Sequence, residues 1–222
     1  MPAPVHRLKK TEIVWLAQHQ CRHGHRYLDH YACYLDEQPD TERIGFFDIE
    51  TTHLKGNFGL MLAYCIMDDK TEEIHSALIT KADILNPKVR DKRVVEKLIK
   101  DLEKFDQVVT FYGTKFDIPF SRTRAMIHGL EFPSYGTLKH KDVYYVVRHK
   151  FSLHSNRLEN ACRTLVGSTG KTSLQPALWQ AAAYGDRKAL VYILDHCKED
   201  VRDLRRLYCK VLEYAYPGVR AV

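Results

Sequence analysis

The stretch Phe46-Phe47-Asp48-Ile49-Glu50-Thr51-Thr52 sets two carboxylates two residues apart where an apolar run ends. On a strand successive side chains alternate faces, so Asp48 and Glu50 point the same way. Two like charges ~4 Å apart repel by roughly 1 kcal/mol in water and by about 4 kcal/mol at an effective dielectric of 20. A divalent cation turns that repulsion into attraction, and hard cations such as Mg2+ take oxygen ligands. Alone, such a pair is no more than a strand end in solvent. Two further acids give it meaning. Asp117, in Thr110 to Phe120 (TFYGTKFDIPF), follows a strand that stops at Gly113 and opens a helix, a position suited to capping or to ligand binding at a sheet edge. Asp200, in His196-Cys197-Lys198-Glu199-Asp200, shares one face of a late helix with His196, beside an apolar stripe through Cys197 and Val201.

A second cluster lies upstream. Cys21, His23, His25, His30 and Cys33 crowd into CRHGHRYLDHYAC, with His19 just before them. A set such as Cys21, His25, His30 and Cys33 has the ligand types that a structural Zn2+ accepts, although its spacing matches no named finger.

These residues need elements to hold them. Residues 43–49 (RIGFFDI), 59–67 (GLMLAYCIM) and 73–79 (EIHSALI) read as strands, the last two separated by the turn-like DDKTE. Between Asp91 and Phe105, Val94, Val95, Leu98, Ile99, Leu102 and Phe105 recur at helical spacing. Residues 107–112 (QVVTFY) form a fourth strand. From Pro119 onward the chain turns helical, with helices expected over 142–151, 155–166 and about 186–214. In the last, Leu190, Ile193, Leu194, Cys197, Val201, Leu204, Leu207, Tyr208 and Val211 trace one stripe. Strands first, then a crossover helix, another strand and further helices describe an α/β class, a mixed β-sheet flanked by helices. The polar stretch 37–43 (EQPDTER) marks a seam, giving a Cys/His-rich segment over 1–40 and one main domain over 41–222.

The bulk properties limit the function classes. In 222 residues, 45% hydrophobic and 28% charged, the chain is an ordinary globular sequence and not a disordered one. Its net charge of +6 favours a polyanionic partner. The longest apolar run, residues 59–67, is about half of what a membrane helix requires, so no membrane partner is expected. No signal peptide is visible and the six cysteines are scattered, which makes them reduced thiols or metal ligands in a cytoplasmic protein. Arg122, Arg124, Arg148, Lys150, Arg157 and Lys171 are available for phosphate contacts. Phe58 and Tyr112 could stack on bases, whereas Phe116 and Phe120 read as core.

From about Ile44 to Tyr214 the sequence resembles the DEDD (DnaQ-like) superfamily of 3′–5′ exonucleases, of RNase H-like fold, most closely its YprB-like branch. Its D-x-E motif matches Asp48 and Glu50, its G-x-x-F-D motif matches Gly113 to Asp117, and its late-helix motif matches His196 and Asp200. Asp142 falls where that branch often has an acid before a helix. Two positions differ: the late-helix motif of this spacing usually carries Tyr where His196 stands, and Tyr112 replaces an Asn that commonly precedes the glycine. The resemblance implies an RNase H-like sheet and a metal-dependent 3′–5′ exonuclease acting on DNA or RNA, with a single-stranded 3′ end favoured. It also implies two divalent cations (Mg2+ or Mn2+) on Asp48, Glu50, Asp117 and Asp200, and His196 as the group that orients or deprotonates the attacking water. The competing readings are an RNase H-like endonuclease or recombination-type nuclease, and an inactive nucleic-acid-binding module.

Overall fold

A computed structural model describes residues 10–37, 43–134, 137–170, 175–215 and 220–221. The chain divides into two units, Met1–Glu42 and Arg43–Val222. Of the seam read at 37–43, residues 38–42 lie outside the described residues, as does Lys171.

In the first unit two helices, α1 (Lys10–Gln18) and α2 (Tyr31–Glu37), flank a tight reversal closed by a Gln20–Arg26 bridge. Leu16, Cys21, Tyr27, Cys33 and Tyr34 form its small core. Gly24, at φ +77°, takes the left-handed conformation that the reversal needs, and its N–H donates to the Cys21 carbonyl at 2.8 Å. That turn corrects the ligand set expected from spacing. It returns His23 toward Cys21, so the side chains that converge are Cys21, His23, His30 and Cys33. His25 lies past the turn: its carbonyl accepts the Cys21 N–H at 2.8 Å, and its ring meets His30 edge-on at 5.0 Å.

The second unit is built on a six-stranded sheet of order β3-β2-β1-β4-β5-β6. The strands are β1 (Ile44–Thr51), β2 (Met61–Asp68), β3 (Ile74–Leu78), β4 (Gln107–Thr110), β5 (Lys139–Asp142) and β6 (Arg220–Ala221). β1 runs antiparallel to β2 and parallel to β4, so the sheet is mixed. Its helices are α3 (Lys81–Leu85), α4 (Lys92–Leu102), α5 (Asp117–Ile127), α6 (Val143–Lys150), α7 (Leu158–Ala161), α8 (Pro176–Ala183) and α9 (Arg187–Val211).

The alternation of β1 divides the core. Phe47 and Ile49 join Val94, Val95, Leu98 and Leu102 of α4 in one apolar cluster. Phe46 joins Cys65 and Met67 of β2 and Cys197, Val201, Leu204 and Leu207 of α9 in another. Asp48 and Glu50 share the Phe46 face, so the strand aims both acids at α9. At the start of β2, a fully buried Asp91 fixes the β1–β2 connection. It accepts the Met61 N–H at 2.8 Å and two bonds from Arg124, at 2.8 and 2.6 Å, while Arg124 Nη1 donates to the Gly56 carbonyl at 3.0 Å. Burial pushes the Asp91 carboxyl up, but the Arg124 and Met61 donors outweigh it and hold it below the usual carboxylate range. Arg124 is therefore a buried structural cation and not the exposed phosphate contact that the sequence suggested.

Two of the expected helices differ in the structure. Asp142 ends β5 and caps α6 without entering it, and the expected helix over 155–166 consists of α7 followed by a π-helical turn, Cys162–Val166.

Candidate active site

Strand β1 ends at the site, and its register is held by β2, with Asp48 opposite Cys65 and Glu50 opposite Ala63. Helix α9 contributes the other wall. One ligand atom each from Glu50, His196 and Asp200 lie within 4.8 Å of one another, although strand and helix are far apart in sequence. His196 Nε2 is 3.8 Å from Asp200 Oδ2, and both residues are buried. Asp48 sits at the base: its carbonyl accepts the Cys197 Sγ–H at 3.5 Å. Burial, followed by neighbouring Cys65 and the charges of Asp48 and Glu50, pushes the Cys197 thiol well up, so it stays protonated beneath the acids.

Asp117, in the first turn of α5, is tied to β1 and, like Asp48, is not among the three residues whose ligand atoms converge. Its Oδ1 accepts the N–H of Ile49 at 3.2 Å, which ties it to the residue between the two β1 acids. Asp117 is 3% exposed. Burial raises its pKa from 3.8 to about 7; its own N–H and that of Ile49 oppose the rise, and the charges of Asp142 and Asp200 add to it. A buried acid repelled by its neighbours is one that a cation would stabilise.

The turn that delivers Asp117 has its own device. Tyr112 adopts φ +70°, a left-handed conformation that costs a side-chain-bearing residue about 1–2 kcal/mol and that Asn tolerates better. Gly113 follows it, where an added Cβ would lie 2.3 Å from Thr110 Oγ1. Asp142 secures this backbone, accepting the N–H groups of Tyr112 at 2.8 Å, Thr114 at 2.9 Å and Tyr144 at 3.1 Å. Asp142 is thus a positioning residue whose carboxylate is engaged with backbone. Beneath it, burial lowers the pKa of His140 to about 4, and His140 Nε2 lies 2.7 Å from Thr110 Oγ1.

Sequence reasoning missed the walls around His196. Trp179 of α8 meets the imidazole edge-on at 5.3 Å, and Tyr192 lies nearly parallel to it at 6.4 Å. Tyr192, four residues before His196, was legible as a helical neighbour; Trp179, on a helix that the apolar pattern did not reveal, carried no signal. Phe120 is buried and Phe116 packs on the core, as expected, while Phe58 is 75% exposed. Tyr112 is 44% exposed, with its ring 4.6 Å from that of Tyr144.

A mixed sheet with acids on its first strand, facing a late helix that carries a further acid, defines an RNase H-like domain. The family model described as the RNase_H superfamily matches residues 45–212, and the chain belongs to that superfamily. Among solved structures it is similar to a family B DNA polymerase from the hyperthermophilic archaeon Pyrobaculum calidifontis, at a TM-score of 0.62 and 16% sequence identity. That alignment covers 77% of this chain and 24% of the polymerase chain, so the likeness is one of fold and spans about a quarter of the larger protein. No curated protein matches the sequence. Membership of the superfamily supports nuclease activity, nucleic-acid binding and use of divalent metals.

Proposed function

We propose that this chain is a 3′–5′ exonuclease of the DEDD class that hydrolyses phosphodiester bonds at a single-stranded end of DNA or RNA with two divalent cations. The observation that carries the reading is the meeting of Glu50, His196 and Asp200 within 4.8 Å, beside an Asp117 carboxyl that Asp200 repels. The donor set fits the cations. Asp48, Glu50, Asp117 and Asp200 offer hard oxygen donors, and the cost of ionising the buried Asp117 is one that a bound cation offsets. These four acids would hold the two cations. When bound, the cations supply Lewis-acid chemistry, offsetting negative charge on the phosphoryl and leaving oxygens.

The remaining work falls to the protein. His196 accepts the proton of the attacking water, and Asp200, 3.8 Å from its Nε2, favours the imidazolium that results. Trp179 and Tyr192 pack about the imidazole ring on two sides. The exposed Phe58 ring, eight residues beyond Glu50, offers a base a stacking surface. Two features favour the exonuclease over the endonuclease reading: an acid that opens a helix after G-x-x-F, and a His four residues before the last acid.

The test uses 5′-labelled single-stranded DNA and RNA with Mg2+, Mn2+ or chelator. The expected result is stepwise shortening from the 3′ end that requires a cation and disappears in Asp200→Asn. His196→Gln should lower kcat by roughly 10²–10⁴ and alter its pH profile. Cutting of internal bonds in a duplex with blocked 3′ ends would replace this reading with the endonuclease. Binding without hydrolysis under either cation would replace it with the binding module.

A further inference from the structure

The four side chains gathered by the turn in the first unit have the chemistry and spacing of a closed metal site. Cys21 Sγ lies 3.9 Å from His23 Nδ1 and 3.8 Å from His30 Nδ1, and Cys33 Sγ lies 3.3 Å from His23 Nδ1. All four ligand atoms lie within 4.8 Å of one another. With Zn–S about 2.3 Å and Zn–N about 2.0–2.1 Å at tetrahedral angles, sulfur and nitrogen on one ion stand about 3.6 Å apart. The three measured separations bracket that value. Both cysteines are free thiols, so no disulfide accounts for their approach.

The backbone is arranged around the same point. The Gln20–Arg26 bridge and the Gly24 turn present Cys21 and His23 from one side. His30 immediately precedes α2 and accepts the Cys33 N–H on its carbonyl at 3.0 Å, so His30 and Cys33 come from the first turn of that helix. Glu37, at the far end of α2, accepts the Arg22 N–H at 3.1 Å and the Tyr27 hydroxyl at 2.9 Å, which ties the helix back to the turn. Among the described residues the core of this unit is Leu16, Tyr27, Tyr34 and the two cysteines themselves. So short a chain rarely folds on apolar burial alone and ordinarily needs a staple.

We infer that Cys21, His23, His30 and Cys33 bind one Zn2+ in a tetrahedral, structural site that holds the first unit folded. Two thiolates balance the charge of the ion, and two neutral imidazoles complete the shell, leaving no position open for a substrate or water. The softer sulfur ligands also separate this site from the oxygen-rich one on β1 and α9, so the two take different metals. Zinc binding here is independent of the nuclease reading and stands or falls by separate measurements.

The experiment is the metal content of the full-length chain, purified without added metal or chelator. About one zinc per chain is expected, retained in Asp48→Asn/Asp200→Asn, which excludes the acidic cluster as its holder. His25→Ala should keep the ion, whereas His23→Ala and Cys33→Ser should lose it. X-ray absorption at the zinc edge of the unaltered protein should show two sulfur neighbours at about 2.3 Å and two nitrogen neighbours at about 2.0–2.1 Å. This readout serves even if the ligand variants fail to fold. Absence of zinc, a Cys21–Cys33 disulfide in the purified chain, a shell without sulfur, or loss of zinc in His25→Ala but not His23→Ala would each overturn the assignment.

Discussion

Replacing Asp117 with asparagine tests whether the acids are held together against their own repulsion. In the fold the Asp117 pKa is raised from 3.8 to about 7, chiefly by burial and then by Asp142 and Asp200. A raised carboxyl destabilises the fold where it must ionise. The penalty is absent below pH 3.8, grows as pH rises, and is complete above about pH 7. At 1.36 kcal/mol per pH unit its full size is about 4 kcal/mol, and structural relaxation in the unaltered protein will reduce it. The amide introduced by Asp117→Asn would be neutral throughout and could keep a carbonyl oxygen for the Ile49 N–H. Without divalent cation at pH 8, Asp117→Asn should therefore be more stable than the unaltered chain by about 2–4 kcal/mol, which for a domain of this size raises Tm by about 5–15 °C. The gap should close as pH falls toward 4. Saturating Mg2+ should reverse the order, since only the intact site gains stability from binding. Melts followed by circular dichroism at pH 4.5, 6 and 8, with and without Mg2+, provide the measurement. A difference of constant size across pH, or a variant less stable at pH 8 without metal, would refute the reasoning.

Two further outcomes follow from buried groups elsewhere in the sheet domain. Arg124→Met leaves the fully buried Asp91 without its guanidinium partner and should cost about 3–5 kcal/mol in urea unfolding; a loss below ~1 kcal/mol would show that the pair is not sealed from water. His140 has its pKa lowered from 6.5 to about 4 by burial, so the unfolded chain takes up the proton first. Its contribution is complete above pH 6.5 and is lost as pH falls through about 4. His140→Gln should flatten stability over that window, and an unchanged acid limb would count against the burial argument.

The parts of the fold that were legible in the sequence are those whose pattern is set by burial. β1, β2 and β4 are apolar runs, and α4 and α9 carry unbroken stripes, so their periodicity survives without tertiary information. β5 was missed because Lys139-His140-Lys141-Asp142 has no apolar residue: its backbone pairs in register with β4, a fact that side-chain pattern does not encode. α8 was missed because PALWQAAA has no polar face to contrast with its apolar one. At the site, residue types and order gave the candidate acids, since D-x-E on a strand fixes their common face. The role of Asp142 as a backbone clamp was not readable, because it depends on Tyr112 adopting a left-handed φ thirty residues away. The error at His25 has the same root. Counting residues between ligands assumes a smooth path, and Gly24 reverses it.

The span between Asp48 and the α9 residues that face it, 149 positions at the Cys197 contact, has a consequence for how the protein is made. A ribosome releases the first two acids long before it adds the fourth. Any product that stops short of residue 200 lacks a member of the set, and the helix that bears that member also closes the core through Leu204 and Leu207. For the nuclease activity proposed above, reactivity toward nucleic acid is then withheld from the growing chain, which emerges amid RNA, until the last helix docks.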